Sequence, residues 1–207
     1  MLDRWTSNWL KPAAVKIAKG LHRLKIGPNQ ITVCGFLIGM AAIPALWQEQ
    51  YILALALILL NRIFDGLDGA LARLVGPSDA GGYLDITLDF LFYAGVVWGF
   101  ALADPPRNGL AAATLIFSFV GTGSSFLAFA ILAAKRQISS IVYPQKSFYY
   151  LGGLTEGTET IVIFVFFCLL PAYFPWLAYG FAGLCWITII TRIIGGYHTL
   201  RSSDRQS

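Results

Sequence analysis

The chain has 207 residues, of which 57% are hydrophobic and only 13% are charged, and its formal net charge is +4. A soluble domain carries roughly 45–50% apolar and about 25% charged residues, so a soluble globular enzyme is not expected. Intrinsic disorder is excluded as well, because disordered chains are poor in apolar residues. The length suits a single domain.

The first segment, residues 1–24, predicts an amphipathic helix that lies in the membrane interface. Apolar side chains recur there at three- and four-residue spacing, and cations flank them. The apolar stripe consists of Leu2, Trp5, Trp9, Ala13, Ile17 and Leu21. A cleaved signal peptide is not expected, because this segment lacks a continuous apolar core. The alternative is an ordinary cytoplasmic helix packed on the domain.

Apolar segments that follow predict an all-α integral membrane protein. A spanning helix needs about 20 mostly apolar residues, with a range of roughly 17–25. Six segments meet this expectation: 31–47, 51–72, 84–103, 109–134, 154–170 and 176–195. A β-barrel would instead show short strands of alternating polarity. We therefore predict a domain of six transmembrane helices over residues 25–200, followed by a cytoplasmic tail over 201–207.

The distribution of basic residues predicts how the chain is oriented. With a cytoplasmic N-terminus, the outer loops contain only Arg107 of the chain's 15 basic residues. Basic residues near helix ends favour the cytoplasmic side, so we expect both termini to be cytoplasmic. We expect the protein to lie in the inner membrane of the cell. The positive charge then indicates contact with anionic lipid. Nucleic acid is not an expected partner, because no nucleic-acid-binding motif occurs.

Aspartates on the second and third predicted spans mark the candidate site, since ionised groups are costly in a bilayer. Asp65 and Asp68 are three residues apart, and Asp85 and Asp89 are four apart, so each pair shares one helical face. The short connection makes the two helices antiparallel neighbours, so the four carboxylates can converge at the cytoplasmic membrane boundary. Hard oxygen ligands suit Mg²⁺ or Mn²⁺, and two ions would offset four negative charges. Paired ions of this kind bind diphosphates, and Arg73 can pair with a phosphate.

These residues carry a resemblance to a known family. The stretch DGLDGALAR, followed by Gly81, Asp85 and Asp89, resembles the signature of the CDP-alcohol phosphatidyltransferases, D-x-x-D-G-x-x-A-R, a spacer, and G-x-x-x-D-x-x-x-D. The spacer between Arg73 and Gly81 is one residue shorter than is common. The upstream GPNQIT, residues 27–32, is similar to the family's lead-in to its first span. Within the family the chain most resembles the small bacterial phosphatidylglycerophosphate synthase branch.

The resemblance implies a role for each matched residue. The two Mg²⁺ or Mn²⁺ ions would be bound by Asp65, Asp68, Asp85 and Asp89, and Asp89 would also be the catalytic general base. The CDP moiety would be bound by Asp68, Gly69, Ala72, Arg73 and Gly81, with Thr32 as a further candidate. The implied reaction belongs to phospholipid biosynthesis: an alcohol attacks the lipid-bearing phosphorus of CDP-diacylglycerol or another CDP-alcohol, and CMP is released. A homodimer is also implied.

The sequence leaves the acceptor alcohol open. Lys135, Arg136 and Arg192 are predicted on the cytoplasmic side, where they could bind an acceptor phosphate or simply anchor the topology. Glycerol-3-phosphate is the first expectation, with inositol phosphate, serine or another alcohol as alternatives. Glu156 and Glu159 are expected to enter the inner half of the bilayer, where a carboxylate is functional by default.

Two other functions fit the aspartates less well. An intramembrane prenyltransferase also binds a diphosphate through aspartates and Mg²⁺, but its motifs have other spacings. A cation transporter would place its site near the bilayer midplane and would often contain a structural repeat. Here the carboxylates cluster at one end, and the sequence shows no repeat.

Overall fold

The computed structural model describes residues 14–136 and 153–204 of the chain, and the all-helical prediction is confirmed for them. A 3₁₀ turn, Pro171–Tyr173, precedes the last helix. Leu2, Trp5, Trp9 and Ala13 of the predicted interfacial stripe lie outside the described residues. The α-helices are α1 (14–23), α2 (Pro28–Met40), α3 (Ala42–Trp47), α4 (Tyr51–Val75), α5 (Asp79–Ala103), α6 (Pro105–Lys135), α7 (Gly157–Leu169) and α8 (Phe174–Asp204).

Each predicted span contains helix, although 31–47 is divided at Ala41 and 154–170 extends beyond both ends of α7. The helices differ in their suitability to cross a membrane. Four in the described part are long and apolar enough: Pro28–Trp47, Asp79–Ala103, Pro105–Lys135 and Pro171–Ser202. α4 has 25 residues, but its second half carries several charges. α7 has 13 residues, which is about 20 Å of helix, less than the bilayer core of about 30 Å. Six membrane crossings therefore remain a prediction.

The described part of α1 packs against the domain. Ala18 is buried beside Leu71 of α4, and Leu21 joins the same small apolar cluster. Ile17, which belongs to the predicted apolar stripe, is half exposed instead. One face of α1 therefore packs against the domain, and the apolar side chain of Ile17 is exposed on another face. This is the pattern expected of a helix that also contacts lipid.

Aromatic rings hold α5, α7 and α8 together at the end of α5 that lies away from its aspartates. Phe100 stacks on Phe174 with ring centroids 4.7 Å apart, and Phe167 meets Phe174 at 4.8 Å. All three side chains are fully buried. Rings at these separations attract each other beyond the area they bury, so this cluster fixes the far end of the bundle.

Glycines let α2 approach α4 and α5 closely. A Cβ on Gly35 would lie 2.6 Å from the Cβ of Phe64, and one on Gly39 would lie 2.7 Å from the Phe92 ring. This G-x-x-x-G pair therefore serves packing within the chain. The close approach brings the first turns of α2 beside the polar halves of α4 and α5, where the predicted site residues lie.

Candidate active site

One face of α4 presents the polar residues of the candidate site. Asn61, Asp65, Asp68 and Ala72 follow each other at spacings of four, three and four residues, so they share one side of the helix. Asn61 is buried, and its Nδ2 donates a hydrogen bond to the Gly35 carbonyl of α2 at 2.9 Å. This bond fixes the rotation of α4, so that its carboxylates face α2 and α5.

Asp85 of α5 completes a set of three carboxylates. One oxygen from each of Asp65, Asp68 and Asp85 lies within 4.8 Å of the others. We call these residues the three-carboxylate group. The second oxygen of Asp68, Oδ2, is buried and has no hydrogen-bond partner among the described residues. A buried polar atom without a partner is costly, and a hard divalent cation would satisfy it. The three-carboxylate group therefore fits Mg²⁺ or Mn²⁺.

Asp89 occupies a different environment from the other three aspartates. Its Oδ1 accepts a hydrogen bond from Arg62 at 2.6 Å, and its Oδ2 accepts one from the Tyr93 hydroxyl at 3.3 Å. Arg62 also lies 3.6 Å from Asp65. The guanidinium thus links Asp89 to the edge of the three-carboxylate group. The roles of Asp89 as a metal ligand and as general base remain predictions.

Arg62 and Tyr93 are site residues that the sequence analysis missed. Arg62 lies three residues before Asp65 on α4, and Tyr93 lies four residues after Asp89 on α5. Both spacings place side chains on one helical face. The sequence did contain a signal for this site, because Arg62 lies inside a predicted span. A charged residue there normally pairs with an oppositely charged one.

The site residues line a cavity between α2, α4 and α5. The cavity encloses about 240 Å³, counting its open mouth, and Phe36 and Leu88 give it apolar walls. Its other lining residues are Thr32, Gly35, Asn61, Arg62, Asp65, Asp68, Asp85 and Asp89. All four predicted aspartates and Thr32 therefore reach one space.

The remaining signature residues lie at the neighbouring helix ends. Arg73 folds back over Gly69, since a Cβ on that glycine would lie 3.4 Å from its guanidinium. The start of α5 meets the start of α2 at Gly81, where a Cβ would lie 3.0 Å from both Asn29 Oδ1 and Ser78 Oγ. Ser78 caps α5 by accepting the Gly81 amide at 3.1 Å. Two helix N-termini, which attract anions, thus lie together beside the cavity.

The predicted acceptor-binding cations do not form one cluster in the described part of the chain. Lys135 ends α6, and Arg136 donates to a carbonyl of α8 at 2.7 Å. Arg192 is buried and donates to the Thr122 carbonyl at 3.2 Å. Thr122 precedes Arg136 by fourteen residues, about 20 Å along α6. Arg136 and Arg192 therefore lie at different levels of the bundle.

Glu156 and Glu159 stabilise the start of α7. The Glu159 carboxylate accepts the Glu156 amide at 3.2 Å, and the Glu156 carboxylate accepts the Gly153 amide at 3.3 Å. Carboxylates are favoured at a helix N-terminus, where they satisfy free N–H groups and oppose the helix dipole. This capping gives both glutamates a structural role.

The fold and the site describe an all-helical membrane protein with an oxygen-rich site for a divalent cation, and comparison with known proteins assigns its family. The family model for CDP-alcohol phosphatidyltransferases matches residues 25–194. Inner membrane protein YnjF of Escherichia coli is 56% identical over 206 residues, covering 100% of both chains. The archaetidylinositol phosphate synthase of Pyrococcus horikoshii is 34% identical over 185 residues, covering 89% of this chain and 90% of its own. The chain belongs to the CDP-alcohol phosphatidyltransferase family.

A solved structure shares the fold. The phosphatidylinositol phosphate synthase PgsA1 of Mycobacterium tuberculosis with CDP-DAG bound superposes with a TM-score of 0.72 at 20% identity, covering 89% of this chain and 93% of its own. The same protein in complex with manganese and citrate gives a TM-score of 0.66 at 20% identity, covering 89% and 88%. The chain is therefore a membrane-bound phosphotransferase of phospholipid biosynthesis, and this assignment replaces the prenyltransferase and transporter alternatives.

Proposed function

We propose that the chain transfers the phosphatidyl group of CDP-diacylglycerol to a hydroxyl of a phosphorylated polyol and releases CMP. The observation that carries this proposal is the three-carboxylate group, with its buried, unpartnered Asp68 oxygen, inside the cavity that the signature residues line. The donor is supported by the CDP-DAG complex of the PgsA1 neighbour.

Asp65, Asp68 and Asp85 are the residues that would hold a divalent cation. Manganese is supported by the complex of the PgsA1 neighbour, and Mg²⁺ fits the same oxygen ligands. The bound cation supplies positive charge that offsets the diphosphate of the donor. A second ion would need the Asp89 carboxylate, which Arg62 holds.

The CDP moiety is proposed to lie between α4 and the starts of α2 and α5. Arg73 is exposed beside Gly69, so its guanidinium can pair with a phosphate. Gly81 keeps the two helix N-termini open to an anion, because a side chain there would meet Asn29. Thr32 and Ala72 complete the predicted CDP-binding set on α2 and α4.

Transfer itself is a displacement at the lipid-bearing phosphorus. The acceptor hydroxyl oxygen forms the new bond to phosphorus, and the bond to the bridging oxygen of the diphosphate breaks. CMP leaves with that electron pair, and the hydroxyl proton passes to the Asp89 carboxylate. A carboxylate can accept this proton when it lies within hydrogen-bond reach of the hydroxyl.

Inositol phosphate is the acceptor that we propose. The support is the relative from Pyrococcus horikoshii, an archaetidylinositol phosphate synthase that matches nearly the whole chain. Glycerol-3-phosphate, the expectation from the sequence, stays as the alternative. Arg192 is the preferred ligand for the acceptor phosphate, because it is buried within the bundle, whereas Arg136 is exposed at the end of α6.

The test is an acceptor screen on the purified full chain in lipid nanodiscs with CDP-diacylglycerol and Mg²⁺ or Mn²⁺. CMP release is measured with inositol phosphate, glycerol-3-phosphate, serine and phosphatidylglycerol. We expect release with inositol phosphate, and loss of release in EDTA and in Asp85→Asn. We expect retention in Glu49→Gln, which removes an exposed carboxylate between α3 and α4, outside the cavity lining. Failure to release CMP with every acceptor contradicts the function, and preference for glycerol-3-phosphate contradicts the acceptor alone.

A further inference from the structure

The Arg62 side chain is held on several sides at the edge of the candidate active site. Its Nε donates to Asn61 Oδ1 at 2.9 Å, its Nη1 to the Tyr93 hydroxyl at 3.2 Å, and its Nη2 to Asp89 Oδ1 at 2.6 Å. Its guanidinium carbon also lies 5.1 Å from the centre of the Phe92 ring. A guanidinium with three directed hydrogen bonds and a ring beneath it has one defined orientation.

That orientation determines where Asp89 points. Asp89 follows Asp85 by one turn on the same face of α5, so spacing alone would direct both carboxylates toward α4. Only Asp85 joins the three-carboxylate group. Asp89 is held instead by Arg62 and Tyr93, which bind one carboxylate oxygen each.

We propose that Arg62 is a positioning residue that holds Asp89 out of the three-carboxylate group and competes with a divalent cation for the Asp89 carboxylate. This inference rests on the proposed metal-binding role of that group. The guanidinium already neutralises Asp89, and it lies 3.6 Å from Asp65. A cation that approaches Asp89 Oδ1 must compete with the Arg62 guanidinium, whose Nη2 lies 2.6 Å from that oxygen.

Two unequal steps of cation binding follow from this arrangement. Among the described residues, no basic side chain forms an ion pair with Asp68 or Asp85. The first ion therefore binds at the three-carboxylate group. Binding of a second ion at Asp89 is opposed by the positive Arg62 guanidinium, whose Nη2 lies 2.6 Å from Oδ1, so it is weaker. Loss of the Arg62 charge alone would tighten both binding steps, because Arg62 also lies 3.6 Å from Asp65, whereas release of Asp89 would tighten the second step more than the first.

The experiment measures Mn²⁺ binding to the purified full chain in nanodiscs, without donor or acceptor, by the electron paramagnetic resonance signal of free Mn²⁺. Loss of a positive charge a few ångströms from the ion should have a large effect on Mn²⁺ affinity. We therefore expect Arg62→Gln to bind the second Mn²⁺ at least about tenfold more tightly than the parent. Arg62→Lys, which keeps the charge, should stay near the parent value. Arg107→Gln is the matched control, because Arg107 is exposed beyond the opposite end of α5.

The outcomes separate this inference from the function on which it rests. If Asp65→Asn weakens Mn²⁺ binding but Arg62→Gln leaves both steps unchanged or tightens both equally, Arg62 does not compete for Asp89 and the inference is wrong. If Asp65→Asn has no effect either, the metal site itself is wrong and both proposals fall. Should Arg62→Gln not fold, Tyr93→Phe provides the test: it removes one hydrogen bond from Asp89 and one from Arg62. We expect it to tighten the second step by about threefold, and an unchanged second step would contradict the inference.

Discussion

Removing the charge of Asp85 perturbs the three-carboxylate group while keeping its shape. One oxygen from each of Asp65, Asp68 and Asp85 lies within 4.8 Å of the other two. At that separation and an effective dielectric constant of about 20, two like unit charges repel by about 3.5 kcal/mol. The variant Asp85→Asn removes two of the three pairwise repulsions and leaves a neutral amide in the same space.

The expected effect changes sign with the metal. Without divalent cations, we expect Asp85→Asn to be at least as stable as the parent and up to a few kcal/mol more stable, because repulsion is relieved. With Mn²⁺ at about one hundred times its Kd, the parent should gain about 2.7 kcal/mol of stability, since the cation binds only the folded state. The variant should gain far less.

Thermal unfolding in nanodiscs, followed by tryptophan fluorescence in EDTA and in Mn²⁺, measures both effects. Asp79→Asn is the control, because Asp79 lies on the exposed first turn of the same helix and outside the three-carboxylate group. Its Tm should shift with Mn²⁺ as the parent's does. A Tm of Asp85→Asn that rises with Mn²⁺ as much as the parent's would refute the assignment of Asp85 as a ligand.

Three further predictions concern packing and are read from Tm in the same nanodiscs. Gly35→Ala should lower the free energy of unfolding by about 1–3 kcal/mol through overpacking against α4. The control Gly183→Ala has open space at its Cβ position and should stay within about 0.5 kcal/mol of the parent. Equal Tm values for the two variants would contradict the close helix contact. Phe100→Ala should cost about 3–5 kcal/mol, because its buried ring meets several others, and a loss below about 1 kcal/mol would contradict its role in the core. Thr188→Val should cost about 1–3 kcal/mol, because the Thr188 hydroxyl accepts bonds from two backbone amides and from Thr155, and an unchanged Tm would show that these bonds add nothing.

Apolar run length was enough to predict the long helices among residues 14–136 and 153–204, because in a membrane protein the backbone must satisfy its own hydrogen bonds. It was not enough to fix the length of α7. The apolar run there suggested a span from 154 to 170, but Glu156 caps the helix at one end, and the 3₁₀ turn beginning at Pro171 follows the other. Caps and turns depend on individual side chains, so a hydropathy pattern does not locate them.

The candidate site shows the same division between what spacing predicts and what contacts decide. Spacing predicted that all four aspartates converge, since helical periodicity fixes the face of each residue, and all four line one cavity. It did not predict that Asp89 pairs with Arg62, because that bond depends on the rotation of α4 against α5. The predicted acceptor-binding cations show a related difficulty. The distribution of basic residues assigns Arg136 and Arg192 to the cytoplasmic side of the membrane, but only the helix packing shows how far apart they lie along the bundle.

α4 illustrates why the polar site lies where it does. Residues 51–60 carry no charged side chain, so this half of the helix can face lipid, whereas residues 61–75 carry Arg62, Asp65, Asp68 and Arg73. Lipid cannot satisfy those groups, and the glycines of α2 allow a neighbouring helix to come close enough to shield them. An arginine supplied by the same helix then lowers the local charge before any cation binds. A single helix thus contributes both an apolar half and polar side chains of the candidate site, and the close packing at Gly35 brings α2 against the polar half.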